Sequence, residues 1–230
     1  MLKLDRIRID NGGFTLTADL EIPRGAQVAV IGPSGAGKST LIEAIAGFLP
    51  LVAGRVIWEG ADLTNHLPGK RPVAMLFQDG NLFPHLTAAQ NVGLGVKPNL
   101  RLTDAEHARV QEALTRVGLE GMESRKPAAL SGGQQSRVAL ARVLVQARDI
   151  LLLDEPFAAL GPALKAEMLD LVAELAQESG ATLLMVSHDP SDARRIADQV
   201  VLVAEGTAHA PQDTAELLNN PPPALKAYLG

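Results

Sequence analysis

The segment Gln27-Val28-Ala29-Val30-Ile31-Gly32-Pro33-Ser34-Gly35-Ala36-Gly37-Lys38-Ser39-Thr40 decides the fold. Its first five residues form an apolar run of strand length, and the glycine-rich stretch after them leads into residues 41–49, apolar and of helical length. Residues 32–39 fit the pattern G-x-x-x-x-G-K-[ST] in the context where it has a mechanism, after a strand and opening a helix. The glycines let backbone N–H groups converge on phosphate oxygens at a helix N-terminus. Lys38 adds a positive charge for the β and γ phosphates, and the Ser39 hydroxyl can ligate Mg2+. The competing reading is a glycine turn with an incidental lysine. Chance supplies the four fixed positions in roughly one chain in a hundred of this length, before the flanking strand and helix are counted.

Toward the N-terminus, Leu2, Leu4, Ile7 and Ile9 alternate with charged residues, with one slip, and Phe14, Leu16, Ala18, Leu20 and Ile22 alternate cleanly. The spacing predicts two antiparallel strands with one wet face, turned at Asn11-Gly12-Gly13. Toward the C-terminus come residues 150–153, a helix carrying Leu164, Met168, Leu171, Val172 and Leu175, then 182–186, a helix from about 190, and 200–203. Such alternation predicts a parallel sheet wrapped by helices. Between these parts, Thr103-Asp104-Ala105-Glu106 fits a capping box opening an amphipathic surface helix with Val110, Ala113, Leu114 and Val117, ended at Gly118. No repeat or linker divides the chain, so one domain over 1–230 is expected, with a break at Pro221-Pro222-Pro223.

The 230 residues include no cysteine, which excludes disulfides, thiolate zinc sites and cysteine catalysis. Lys and Arg number 21 against 26 Asp and Glu, a net charge of −5 with no basic run, which argues against a nucleic-acid partner. No stretch approaches the roughly 20 apolar residues needed to cross a bilayer, and Met1-Leu2-Lys3-Leu4-Asp5-Arg6 does not fit a signal peptide. A cytoplasmic compartment is expected.

Ile150-Leu151-Leu152-Leu153-Asp154-Glu155 places two carboxylates at the end of a buried strand, where open α/β sheets present their ligands. Asp154 is placed to hold Mg2+, directly or through water, and Glu155 to polarise an attacking water. Alone, such a pair is a common loop start; its weight comes from the phosphate loop. Leu130-Ser131-Gly132-Gly133-Gln134 precedes a helix bearing Val138, Leu140, Ala141, Leu144 and Val145, and so offers a second anion site. A chain that cradles its own nucleotide needs this site only for a nucleotide on a second copy, which predicts a dimer with shared sites. A serine N-cap followed by a flexible glycine pair is the plainer alternative.

On these residues the sequence resembles the nucleotide-binding subunits of ATP-binding cassette transporters over essentially its whole length. Residues 130–134 match the LSGGQ signature. Gln78, in Met75-Leu76-Phe77-Gln78, matches the Q-loop glutamine, a Mg2+ ligand and reporter to the membrane subunit; His188, in Val186-Ser187-His188-Asp189, matches the switch histidine that contacts the γ-phosphate. His66, His85, His107 and His209 are expected to be solvated loop residues. The resemblance implies an α/β, P-loop NTPase fold with a RecA-like parallel-sheet core, an N-terminal antiparallel β subdomain and an inserted α-helical subdomain over approximately 79–148. It implies ATP contacts from Gly32, Pro33, Ser34, Gly35, Ala36, Gly37, Lys38, Ser39 and Thr40. Ser131, Gly132, Gly133 and Gln134 would reach the ATP of a second copy. Mg2+ would be held by Ser39, Gln78 and Asp154, and Glu155, His188 and Gln78 would carry catalysis. It further implies a homodimer, permease subunits in the membrane, a periplasmic solute-binding protein reached indirectly, no nucleic acid, and a peripheral place on the cytoplasmic face of the cell membrane.

Within the family, residues 71–78 with Asn81-Leu82-Phe83-Pro84-His85-Leu86-Thr87 and Gln90-Asn91 resemble the ATPases of bacterial importers, thiamine importers nearest. Molybdate, sulfate, iron and polyamine importers share much of the pattern. Leu82, Phe83 and Leu86 are expected as an exposed apolar patch for a coupling helix of the permease, with three core residues as the alternative. Three positions depart from the family. The aromatic that stacks adenine aligns with Asn11, Phe14 being the only nearby ring; the usual S-A-L-D reads Ala158-Ala159-Leu160-Gly161; and Gln135-Ser136 replaces an Arg-Gln pair. A cassette ATPase of DNA maintenance would need a long coiled coil between Ser39 and Leu130, where about ninety residues show no heptad run. A P-loop kinase or GTPase leaves residues 130–134 and His188 unexplained.

Overall fold

The computed structural model describes residues 1–78, 80–223 and 225–226. The first of the 79–148 residues therefore lies outside the described ones. The elements in chain order are β1 (Leu2–Asn11), β2 (Phe14–Ile22), β3 (Gln27–Ile31), α1 (Lys38–Ala46), β4 (Ala53–Trp58), β5 (Ala61–Asp62), β6 (Val73–Leu76), α2 (Ala88–Gly93), α3 (Asp104–Arg116), α4 (Gly132–Leu144), β7 (Ile150–Asp154), α5 (Pro162–Ser179), β8 (Thr182–Val186), α6 (Pro190–Ile196), β9 (Gln199–Ala204), β10 (Thr207–Ala208), β11 (Gln212–Asp213) and α7 (Thr214–Asn219).

The slip in the N-terminal alternation is a β-bulge. Register breaks between Leu4 and Ile7 against β2 and between Asp5 and Arg8 against β4, with Arg6 at φ 47. An extra residue flips the face that follows it, so Leu2 and Leu4 on one side of the bulge and Ile7 and Ile9 on the other are all buried.

Ten strands run in the order β5-β4-β1-β2-β10-β9-β3-β8-β7-β6, with β11 added on β9. From β9 to β6 the pairing is parallel throughout; β5, β4, β1 and β2 are antiparallel. β9 serves both halves, pairing with β3 through 199–202 and with β10 through Val203 and Ala204. The parallel strands have no polar face, and their alternate residues enter two cores. Val28, Val30, Ile150, Leu152, Leu184 and Val186 pack with α1 and the antiparallel strands. Ala29, Ile31, Leu151, Leu153, Leu183 and Met185 pack with α2 to α6. Two covered faces are what near-continuous apolar strands require.

Helix α1 begins at Lys38, within the phosphate loop, and ends at Ala46, three residues short of the expected 49. The buried Arg71 fixes that end, donating from Nη1 to the carbonyls of Ala44 (2.9 Å) and Ile45 (2.8 Å). A guanidinium there satisfies orphan carbonyls and opposes the helix dipole. Helices α2, α3 and α4 lie between β6 and β7 in the chain and pack on one another. Each opens with a reciprocal capping box: Thr87 with Gln90, Thr103 with Glu106, and Ser131 with Gln134.

Candidate nucleotide site

The phosphate loop is held by contacts that only glycine permits at two positions. A Cβ on Gly32 (φ 151) would lie 1.9 Å from the carbonyl oxygen of Val203, and one on Gly37 (φ 101) would lie 2.7 Å from the Phe14 ring. The Phe14 ring is thus packed against the loop, while Asn11, the aligned position, is an exposed residue at the end of β1. Lys38 is buried, with Nζ donating to the carbonyls of Gly32 (2.9 Å) and Pro33 (3.0 Å). Burial lowers the Lys38 pKa, and the nearby Glu155 and Asp154 oppose that shift.

At the C-terminal ends of the parallel strands the acidic groups meet the loop. Ser39 Oγ donates to Asp154 Oδ1 at 3.0 Å. Burial raises the Asp154 pKa, Glu155 adds to the rise, and Ser39 and Lys38 act against it. Carboxylate, hydroxyl and amide oxygens are the hard donors Mg2+ takes, so Ser39, Asp154 and Gln78 fit that ion chemically. Glu155 has a left-handed backbone (φ 44), rare for a non-glycine residue and found where surrounding structure over-determines it. Its N–H donates to Val186 O at 3.2 Å, and its Oε2 stands 3.2 Å from His188 Nδ1. Residues from β3–α1, β7 and β8, far apart in sequence, are brought together here.

Gln78, two residues beyond β6, and Gly132 of the 131–134 stretch face a common cleft. Gln78, Gly80, Asn81, Gly132, Ser136 and Leu160 border a cleft of about 580 Å³. Gly133 lets α4 approach α5, since a Cβ there would meet Leu164 Cδ2 at 2.4 Å, whereas a Cβ on Gly132 would meet nothing. The apolar patch needs correction: Phe83 is exposed, but Leu82 is half-buried against the core and Leu86 is also half-buried. The loop around them is folded by the buried Asn91, which donates to the carbonyls of Phe83, Leu86 and Thr87 and accepts from the Phe83 N–H. His66, His85, His107 and His209 are exposed, although His107 lies on α3 rather than in a loop.

Two basic residues escaped the sequence analysis. Arg142 of α4 donates to the carbonyls of Gly80 (2.6 Å) and Asn81 (2.7 Å), tying the segment after Gln78 to the helix that 131–134 opens. Lys165 of α5 sits between Asp189 and Asp192. A lone basic residue on a predicted amphipathic helix carries no signal of a partner so distant in sequence. A cation within the apolar rows of α4 and α5 was the one visible hint.

A model of the ABC transporter family matches residues 16–158. The chain belongs to the ABC transporter family. As an ABC ATPase it is similar over its full length to the thiamine import ATP-binding protein ThiQ of Ruegeria sp. (strain TM1040), at 69% identity, and to ThiQ of Cereibacter sphaeroides, at 63%, each relative also covered fully. Among solved structures, a dimeric ATP-binding cassette in a post-hydrolysis state with ADP and phosphate superposes with a TM-score of 0.79 at 30% identity, covering 93% of this chain and 99% of that one. The fold is the α/β architecture the sequence predicts, and the chain is an ATPase of this family. Among the described residues no helix is long and apolar enough to cross a membrane.

Proposed function

We propose that this ABC ATPase hydrolyses ATP as a homodimer to power thiamine uptake through permease subunits, on the cytoplasmic face of the membrane. A periplasmic binding protein would deliver the solute without touching this chain. The full-length likeness to thiamine import subunits supports the cargo. The observation that carries the chemistry is the convergence of Ser39 on Asp154 and of His188 on Glu155 beside Lys38.

In this reading Lys38 exchanges its loop carbonyls for phosphate oxygens, and the loop amides cradle the same phosphates. Mg2+, held by Ser39, Asp154 and Gln78, would supply neutralisation of phosphate charge. Glu155 accepts a hydrogen bond from the attacking water and orients it, and His188, held against Glu155, faces the γ-phosphate. Ser131, Gly132, Gly133 and Gln134 of a second copy complete the site, and the open space at Gly132 suits such an approach. The segment 79–148 acts as the helical unit that presents them.

The test is light scattering of a Glu155→Gln variant with and without ATP, followed by ATPase assays of the complex co-purified with its permease. ATP-dependent dimers and stimulation of hydrolysis by thiamine-loaded binding protein are expected. A persistent monomer overturns the shared site, and stimulation by another solute alone overturns the cargo.

A further inference from the structure

Lys165 occupies the first turn of α5, with its side chain only 17% exposed. Its Nζ lies 2.7 Å from Asp192 Oδ1 and 3.0 Å from Asp189 Oδ2. Asp189 itself follows His188, and the Asp192 carboxylate reaches onward to Ser187, which precedes the histidine. Ser187 Oγ donates to Asp192 Oδ2 at 2.6 Å, and the Asp189 N–H donates to Ser187 Oγ at 3.0 Å. Ser187 and Asp192 are buried. One ammonium thus fixes the backbone on each side of the histidine.

The same residue is tied to Glu155 from the other direction. The Lys165 N–H donates to the Gly161 carbonyl at 2.9 Å, starting α5, and the stretch back to Glu155 is two tight turns closed by Ala158 N–H to Glu155 O (3.2 Å) and Leu160 N–H to Phe157 O (3.1 Å). Glu155 and His188 then meet at 3.2 Å. The path from Glu155 through Gly161, Lys165, Asp192 and Ser187 to His188 and back to Glu155 is a closed ring. It surrounds a cavity of about 10 Å³ that Glu155, Lys165, Ser187, His188 and Asp192 all border. That is about one water's worth of slack, so displacing Lys165 displaces both arms.

We infer that Lys165 is a positioning residue for hydrolysis: it sets the loop bearing His188 relative to the loop bearing Glu155, and links both to Gly161 at the start of α5. The inference rests on the reading of Glu155 and His188 as the hydrolytic pair. A purely structural alternative exists, in which Lys165 only neutralises two carboxylates at the start of α6. The two differ in what they do to rate and to binding. Misplaced catalytic groups cost kcat, whereas ATP affinity, carried by the phosphate loop that follows β3, is left alone.

The experiment compares Lys165→Met, Lys165→Arg and Asp189→Asn in the full chain, measuring steady-state ATPase and ATP affinity by calorimetry, with Glu155→Gln as the reference. Lys165→Met should lower kcat tenfold or more while the ATP Kd stays within threefold. Lys165→Arg, which can still reach both carboxylates, should recover kcat to within about twofold to threefold, and Asp189→Asn should fall between. If Lys165→Met cannot be recovered folded, the same split is read in Asp189→Asn, whose side chain is 39% exposed and whose loss removes one of the two contacts. A kcat within twofold of the parent in these variants, when Glu155→Gln has lost turnover, overturns the inference and leaves the hydrolytic reading standing. Loss of ATP affinity in step with kcat, or an arginine variant as slow as the methionine one, overturns it as well. Hydrolysis surviving in Glu155→Gln defeats the underlying reading itself.

Discussion

Lys38 and Glu155 divide the work of the site, and their substitutions should fail in opposite ways. Lys38 is buried and bonded to loop carbonyls, so its ammonium is already desolvated and oriented before a phosphate arrives. Lys38→Ala should weaken ATP binding by about 2 to 5 kcal/mol, as for truncating a buried charge contact, measured by calorimetry. Glu155→Gln should keep binding and lose turnover by about 100 to 10,000-fold, the usual worth of a positioned acid or base, measured as phosphate release. Hydrolysis near the parent rate would remove Glu155 from the mechanism. At this scale the motif residues are legible because their spacing is local, 32–39 in one loop and 154–155 at one strand end. Phe14 is not, because its packing against Gly37 joins a hairpin to a loop more than twenty residues on.

The elements show both how far periodicity reaches and where it stops. The slip in β1 was visible as broken alternation, and a bulge with Arg6 in the left-handed region is its physical form. The end of α1 was not, since it depends on Arg71, about 25 residues away and silent in a hydropathy pattern. Helix α5 offers a prediction of its own. Gly161 is its N-cap at φ −64 and ψ 157, an ordinary extended conformation, with no side-chain cap and no atom within 4 Å of a Cβ. Glycine's freedom is therefore unused there, and an aspartate fits without strain. Gly161→Asp should add a few tenths of a kcal/mol of stability as a cap and leave ATP affinity within about threefold. In the proposed dimer an aspartate here, as in the S-A-L-D pattern of the family, would reach the second copy's phosphate loop. A hydrogen bond to a charged group is worth roughly 1.5 to 3 kcal/mol, so the maximal ATPase rate of the permease complex should also rise. Rates against ATP concentration for both proteins decide it, and an equal or lower maximum shows that the departure is compensated elsewhere.

For the whole molecule, the two cores are separated by one sheet whose alternate residues belong to different layers, so the order of strands, unlike their existence, could not be read along the chain. Acid should find a weak point in the ring around Lys165. The Ser191 hydroxyl first, with Lys165 assisting and burial opposing, holds the Asp189 pKa down to about 2 from 3.8. A folded value below the unfolded one contributes stability that is fully present above about pH 4 and is lost as pH falls toward 2. Asp189→Asn should therefore be less stable than the parent at neutral pH and show a flatter acid limb between about pH 4 and 2, followed by urea unfolding midpoints. Parallel curves for the two proteins would show that Asp189 is not linked to folding. One further feature acts at this scale. The carbonyl of Val203, where β9 passes from the parallel strands to β10, stands 1.9 Å from where a side chain on Gly32 would begin. The first residue of the phosphate loop is thus wedged into the seam between the two halves of the sheet like a pin in a hinge, so a change in the angle between the halves cannot leave the nucleotide's cradle unmoved.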